Sequence, residues 1–106
     1  MTNEQRHHER VRLPLEARWE GLSGKHEARV YDISVGGCYI ETLGQVTPGE
    51  RVSFQIQLPG GIWLQLRGEI VHGELNIGFG LRFIELGERE CELLLQMVEL
   101  ARNGKN

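Results

Sequence analysis

The sequence has no long apolar run. No segment approaches the roughly 20 consecutive apolar residues that a membrane-spanning helix needs. Residues 1–12 are polar and lack the apolar core of a secretory signal peptide. We therefore predict no membrane insertion and expect a cytoplasmic protein. The 106 residues suit a single domain, because two independent cores would be hard to build at this length.

Cysteine and histidine are too sparse to suggest a metal site. Cys38 and Cys91 are the only cysteines and have no CxxC spacing, while His7 and His8 lack partner ligands at metal spacing. Each cysteine stands in an apolar pattern, so we interpret both as small buried hydrophobic residues rather than catalytic thiols. No metal and no cofactor is expected.

Aromatic residues and positive charge are also scarce. Aromatics make up 7% of the chain, and the formal net charge is −3. Nucleic-acid surfaces need basic groups and stacking aromatics, so neither DNA nor RNA is a predicted partner. Residues 1–12 are the exception, because Arg6, Arg10 and Arg12 there outnumber two glutamates. Such a basic arm suits a compact anion better than a long polyanion.

The middle of the chain has the alternating pattern of β-strands. Residues 52–58 alternate apolar and polar side chains, residues 59–61 (Pro-Gly-Gly) break the pattern, and residues 62–70 resume it. The pattern predicts an all-β fold, a six-stranded antiparallel β-barrel, which leaves no exposed strand edge. Its predicted strands cover residues 13–22, 25–31, 38–43, 52–58, 62–70 and 76–83.

The C-terminal part changes to a helical period. Apolar residues recur there at three- and four-residue spacing: Cys91, Leu94, Leu95, Val98 and Ala101. We predict a helix over about 87–102 that packs on the barrel or on a partner, so monomer and homodimer both remain open. The predicted organisation is a flexible basic N-terminal arm over residues 1–12 and a barrel domain with its helix over residues 13–106.

Three short motifs follow one another along the chain. They are R-x-x-x-R at Arg6 and Arg10, D-x-S-x-x-G at Asp32, Ser34 and Gly37, and G-L-R-F at residues 80–83. Together they resemble the PilZ family, bacterial receptors for the second messenger cyclic di-GMP, and the resemblance runs from Gln5 to about Val98. R-x-x-x-R alone carries no weight, because two arginines at this spacing are common. The order and separation of the motifs carry the resemblance.

The resemblance implies a cyclic di-GMP site at the first two motifs. Arg6 and Arg10 would contact guanine and phosphate, since a planar guanidinium binds either group and also stacks on bases. The Asp32 carboxylate can accept from guanine N1–H and N2–H₂, and the Ser34 hydroxyl can bond to phosphate or base. Gly37 would adopt a conformation, or allow an approach, that a Cβ forbids. The alternative is that residues 32–37 are simply a turn.

Two further residues are possible ligand contacts. His72 occupies a position where PilZ relatives often place a large polar residue near the ligand, and a solvated strand-end histidine is the equal alternative. Gln5 precedes Arg6, and in the family this preceding residue influences whether one ligand or a stacked pair is held. Glutamine leaves that stoichiometry open. Trp19 and Trp63 are interpreted as packing residues.

The implied function is that of a single-domain bacterial cyclic di-GMP receptor. The ligand would order the arginine arm and change the surface seen by an unidentified protein partner. The alternative is a PilZ-type interaction adaptor with weak or no nucleotide binding. We expect no enzyme activity, because Ser34 and Asp32 have no identifiable histidine partner and no pair of catalytic carboxylates is visible.

Overall fold

The structure is a computed structural model that describes residues 9–103. This part of the chain forms seven antiparallel strands and one helix. The strands are β1 (Val11–Arg12), β2 (Glu16–Gly21), β3 (Gly24–Ile33), β4 (Gly37–Thr42), β5 (Arg51–Gln57), β6 (Trp63–Glu74) and β7 (Gly78–Ile84). A single helix, α1 (Glu88–Asn103), follows them.

Strands β2 to β7 close into a barrel. The order around the ring is β3-β2-β5-β6-β7-β4, and β4 pairs back with β3. Every pairing is antiparallel, so strands that follow one another can be joined by tight turns, as between β2 and β3, β5 and β6, and β6 and β7. The predicted six-stranded barrel with a C-terminal helix is therefore confirmed, with one extra strand.

The extra strand, β1, comes from the end of the predicted arm. Val11 pairs with Ile33 and Arg12 with Asp32, at the end of β3 that β2 does not reach. The Val11 side chain is buried against the core, and this apolar contact attaches the segment to the barrel. Of residues 1–12, at least these last two thus belong to the barrel.

Two β-bulges interrupt the barrel wall. One lies in β3 between Val30 and Asp32, and the other lies in β6 between Ile70 and His72. Regular alternation would point Asp32 and His72 inward, like the buried Val30 and Ile70 two residues before them. Each bulge adds one residue, so both polar side chains turn to the outer face.

The core lies inside the barrel and under the helix. The Trp19 indole N–H donates to Thr42 Oγ1 at 3.0 Å, so this buried tryptophan is a packing residue, as predicted. The largest fully buried side chains come from five of the strands and from α1: Phe54, Phe79, Ile33, Ile40, Ile56, Ile70, Leu81, Leu94, Val30, Val52 and Cys38.

Helix α1 covers one end of the core with fewer residues than its sequence pattern predicts. Leu94, Met97 and Val98 are buried, and the interpretation of Cys91 as a buried residue is wrong because its thiol is exposed. Cys91 lies in the first turn, and burial begins one turn later. Leu95 is also exposed. No helix within residues 9–103 has the length and hydropathy to cross a membrane.

Candidate functional site

One row of outward-facing positions runs across five neighbouring strands. The pairings join Arg12 on β1 to Asp32 on β3, Asp32 to Tyr39 on β4, Tyr39 to Gly80 on β7, and Gly80 to His72 on β6. The two bulges put Asp32 and His72 into this row. Because the position between Tyr39 and His72 is a glycine, the row is open there.

Four of these positions, Asp32, Tyr39, Gly80 and His72, form the floor of an open hollow of about 440 Å³. Its lining brings together two predicted ligand residues and the possible contact His72, and the full set is Arg10, Tyr31, Asp32, Tyr39, Glu41, His72 and Gly80. We call it the β4–β7 hollow. A larger hollow of about 570 Å³ lies on the outer side of β2 and β5. It contains no residue of the three motifs, so the β4–β7 hollow is the candidate site.

Arg10 and Asp32 form an ion pair at the edge of the hollow. The Nη1 atom of Arg10 donates to Oδ1 of Asp32 at 2.8 Å, and the two side chains are 49% and 21% exposed. Arg12 lies beside them, with its guanidinium 4.0 Å from the centre of the Tyr31 ring and its Nε donating to the Tyr31 carbonyl oxygen. Arg10 therefore lies at the edge of the hollow and Arg12 lies next to it on Tyr31, and protein groups hold both side chains.

Ser34 is used by the turn rather than by the hollow. Its side chain is buried, and Oγ accepts from the backbone N–H groups of Gly36 and Gly37 at 3.1 and 3.2 Å. The hydroxyl in turn donates to the Gly37 carbonyl oxygen at 3.3 Å. Asp32 is thus at the hollow while Ser34 holds the β3–β4 turn behind it, and the structure does not bring their side chains together.

Glycines are required where the strands and side chains approach closely. A Cβ on Gly37 would lie 2.2 Å from the backbone oxygen of Leu81, so the approach that this glycine allows is to strand β7. A Cβ on Gly80 would lie 2.9 Å from Cε1 of His72. Gly37 therefore fixes the barrel wall, and Gly80 leaves room for the His72 ring within the hollow.

Tyr39 also lines the hollow, and it is not among the site residues predicted from the sequence. Its hydroxyl donates a hydrogen bond to Oε1 of Glu74, and burial together with this bond raises the pKa of Tyr39 to about 12. The sequence does contain a signal for it. Between the buried Cys38 and Ile40, alternation along β4 places Tyr39 on the outer face, directly after the D-x-S-x-x-G motif.

Behind the floor of the hollow lies Cys38. Burial raises the pKa of its thiol far above its ordinary value, so the thiol stays protonated and unreactive. This matches the predicted structural role of Cys38. The predicted ligand residues Gln5 and Arg6 lie outside the described residues. Within residues 9–103 no group of three or more histidine, cysteine or acidic side chains could hold a metal ion.

Comparison with known proteins gives the same fold. The family model described as PilZ domain matches residues 4–100. Among solved structures, the chain is similar to the inhibitor of motility MotI/DgrA of Bacillus subtilis, with a TM-score of 0.77 and 16% identity. That match covers 93% of this chain and 51% of the other, so this chain spans about half the length of MotI/DgrA.

Two further structures were solved with c-di-GMP, which is cyclic di-GMP. The PilZ domain of YcgR from Escherichia coli has a TM-score of 0.75 and 13% identity, over 92% of this chain and 91% of that one. The PlzA protein of Borreliella burgdorferi has a TM-score of 0.64 and 17% identity, over 86% and 40%. No curated protein sequence matches significantly. At these identities the structural likeness establishes the fold alone.

Proposed function

The chain belongs to the PilZ domain family, and we propose that it binds cyclic di-GMP in the β4–β7 hollow. One observation carries the proposal most strongly. Arg10 and Asp32 are 22 residues apart in sequence, yet their side chains meet at the edge of the hollow. PilZ proteins of the same fold, from E. coli and B. burgdorferi, were solved with this ligand, which supports the proposal.

The two paired side chains at the edge of the hollow suit the two parts of the ligand. Cyclic di-GMP has two phosphates, which need fixed donors, and two guanines, whose N1–H and N2–H₂ groups need acceptors. Arg10 offers a planar set of N–H donors for phosphate or for the guanine O6/N7 edge. The ionised Asp32 carboxylate is an acceptor only, and it matches the guanine N–H groups.

Binding would exchange one set of charge-assisted bonds for another. In the free protein Arg10 and Asp32 satisfy each other, so neither charge stands unpaired at the edge of the hollow. The ligand would replace this contact with one bond from Arg10 and another to Asp32. Because the pair is already positioned, little side-chain entropy is lost when the ligand arrives.

We extend the proposal to Arg6, the first arginine of the R-x-x-x-R motif. It would close over the ligand from the side opposite the floor of the hollow, so that the arm becomes ordered when cyclic di-GMP binds. Ser34 and Gly37 would act on the site through the turn and the wall that carry Asp32. Amide hydrogen exchange tests the arm: added ligand should protect residues 1–8 in wild type and leave them unprotected in Arg6→Ala.

A contact between the arm and the helix supports signalling to a partner. Glu9 precedes Arg10 directly, and its carboxylate pairs with Nη2 of Arg102 on α1 at 3.0 Å. Movement of Arg10 onto the ligand would therefore pull on the end of α1. Leu95 and Leu100 are exposed on this helix, so a change in its position alters an apolar surface. The proposed partner is an as yet unidentified cytoplasmic protein.

The proposal is for a receptor without catalytic activity. The Ser34 hydroxyl, the only serine of the motifs, is buried and bonded to the turn, which removes it as a nucleophile. PilZ proteins of the same fold were solved with c-di-GMP, which supports a ligand-binding role. Incubation of the purified chain with cyclic di-GMP should return the ligand intact, and a linear dinucleotide product would contradict it.

An NMR titration tests the site as a whole. Cyclic di-GMP added to ¹⁵N-labelled protein should shift the backbone amide signals of four residues of the hollow: Arg10, Asp32, Tyr39 and His72. All four shifts should follow the same dependence on ligand concentration. The amides of Arg18 and Gln55, which line the larger hollow on β2 and β5, are the internal control and should not move. Shifts confined to that control surface would place the ligand elsewhere, and no shift at all would end the proposal.

A further inference from the structure

Three neighbours hold the Tyr39 ring in one orientation within the hollow. The Tyr31 ring meets it edge-on at a centroid distance of 6.2 Å, and the His72 ring is tilted by 39° at 6.0 Å. The Tyr39 hydroxyl donates to Glu74. An aromatic side chain fixed on three sides has little rotational freedom left to lose when it meets a ligand.

The barrel does not need this ring for its core. Tyr39 is partly exposed and faces outward, whereas Cys38 and Ile40 on either side of it are fully buried. Its cross-strand partner on β7 is Gly80, and the next outward position on β7 is Gly78. A Cβ on Gly78 would lie only 2.9 Å from Cε1 of Tyr39. These two positions of β7 therefore offer no side chain to cover the ring.

The charges around Tyr39 select the part of the ligand that can lie there. Glu41 lines the same end of the hollow, and the carboxylate of Glu74 is bonded to the Tyr39 hydroxyl. These carboxylates would repel a phosphate. They would attract the N1–H and N2–H₂ edge of a guanine, because an ionised carboxylate only accepts hydrogen bonds. The positive charge that lines the hollow is Arg10, which lies at its edge in the ion pair with Asp32.

We propose that Tyr39 is a base-stacking residue of the site, with one guanine lying on its ring and Glu41 facing that guanine's N–H edge. The inference rests on the proposed function and deepens it. It divides the hollow into a phosphate end at Arg10 and a guanine end at Tyr39. The Tyr39 hydroxyl, whose pKa is raised to about 12, stays protonated well above the neutral range and can keep donating to Glu74.

Calorimetric titration with cyclic di-GMP of three variants at position 39 tests the assignment. Tyr39→Leu keeps apolar bulk but removes the aromatic face, and it should weaken binding by roughly 5- to 150-fold, the range measured for stacked bases. Tyr39→Phe and Tyr39→Trp keep an aromatic face and should bind within about threefold of wild type, on the same stacking argument. The control Trp63→Leu removes an aromatic residue that packs under Arg18, outside the hollow, and should bind as wild type.

A second readout reports stacking even if Tyr39→Leu folds poorly. In Tyr39→Trp, a stacked guanine should quench fluorescence on ligand addition, well beyond any change in wild type. If wild type binds, Arg10→Ala binds weakly, and the Tyr39 variants neither lose affinity nor show quenching, the stacking inference alone is overturned. If wild type does not bind cyclic di-GMP, the proposed function fails and the inference fails with it.

Discussion

Arg10 and Asp32 neutralise each other across the edge of the β4–β7 hollow, at a distance of 2.8 Å between Nη1 and Oδ1. The bulge in β3 makes this contact possible, because it turns Asp32 outward from a strand whose neighbouring positions, Val30 and Ile33, face the core. The pair is partly exposed, so its own contribution to stability is small. In the proposed function the pair matters because it offers N–H donors and a carboxylate acceptor to cyclic di-GMP at the edge of the hollow.

The first prediction concerns the charge of Asp32. Asp32→Asn keeps the shape of the side chain but replaces an acceptor-only carboxylate with an amide. Affinity for cyclic di-GMP should fall by roughly 10- to 150-fold, which corresponds to the free energy of one hydrogen bond to a charged group. Glu16→Gln is the matched control, since Glu16 is an exposed carboxylate paired with Arg29 away from the hollow. Equal calorimetric affinities for the two variants would remove Asp32 from the site.

A second prediction separates the turn role of Ser34 from direct ligand contact. Ser34→Ala leaves the N–H groups of Gly36 and Gly37 without their buried acceptor, which costs about 1–3 kcal/mol of folding free energy. The unfolding midpoint should fall by at least about 4 °C. Ser53→Ala, at an exposed position of β5, should leave the midpoint unchanged. If Ser34→Ala keeps wild-type stability and loses only ligand binding, the turn role is wrong.

The third prediction uses two glycines with different neighbours. Gly37→Ala puts a Cβ against the backbone of β7 and should destabilise the barrel by about 3 kcal/mol. Gly80→Ala meets the movable ring of His72, so the fold should survive while the hollow loses space. Thermal unfolding should therefore detect mainly Gly37→Ala, and ligand titration should detect Gly80→Ala. A loss of stability in Gly80→Ala together with wild-type stability in Gly37→Ala would contradict the contacts described for these two glycines.

Alkaline titration of stability gives a fourth prediction. The pKa of Tyr39 is about 12 in the folded chain, above its ordinary value of 10.0. Between pH 10 and 12 the unfolded chain therefore loses this proton first, and the native state loses stability relative to it as the pH rises. Tyr39→Phe lacks this effect. The urea midpoints of wild type and Tyr39→Phe should diverge above pH 10, with that of wild type falling faster. A difference between the two midpoints that stays constant from pH 8 to 11.5 would refute the raised pKa of Tyr39.

The sequence was sufficient for the barrel and for the position of the helix. Alternation in residues 52–58 and 62–70 reflects side chains that face either core or solvent, and this local signal survives in β5 and β6. It fails at the bulges. Val71 and His72 are both exposed, so the period of two is lost there, and the predicted strand ended at residue 70, four residues before β6 does.

The candidate site was only partly predictable for the same physical reason. The motifs indicate Asp32 and Arg10, but the row that joins Asp32, Tyr39 and His72 depends on cross-strand register, which no local pattern records. Ser34 has the residue type of a ligand contact, and only the turn geometry shows where its hydroxyl points. Cys91 fits a helical apolar pattern, yet the barrel does not extend beneath the first turn of α1.

Calorimetric titration with cyclic di-GMP of wild type, Arg10→Ala and Arg18→Ala tests the central claim most directly. Arg18 is a matched control, because it is an outward-facing arginine on β2 held by Gln55 and Trp63, away from the β4–β7 hollow. We predict saturable binding by wild type and Arg18→Ala, and affinity lower by roughly 10-fold or more in Arg10→Ala. Equal binding by all three proteins, or none by wild type, would contradict the claim.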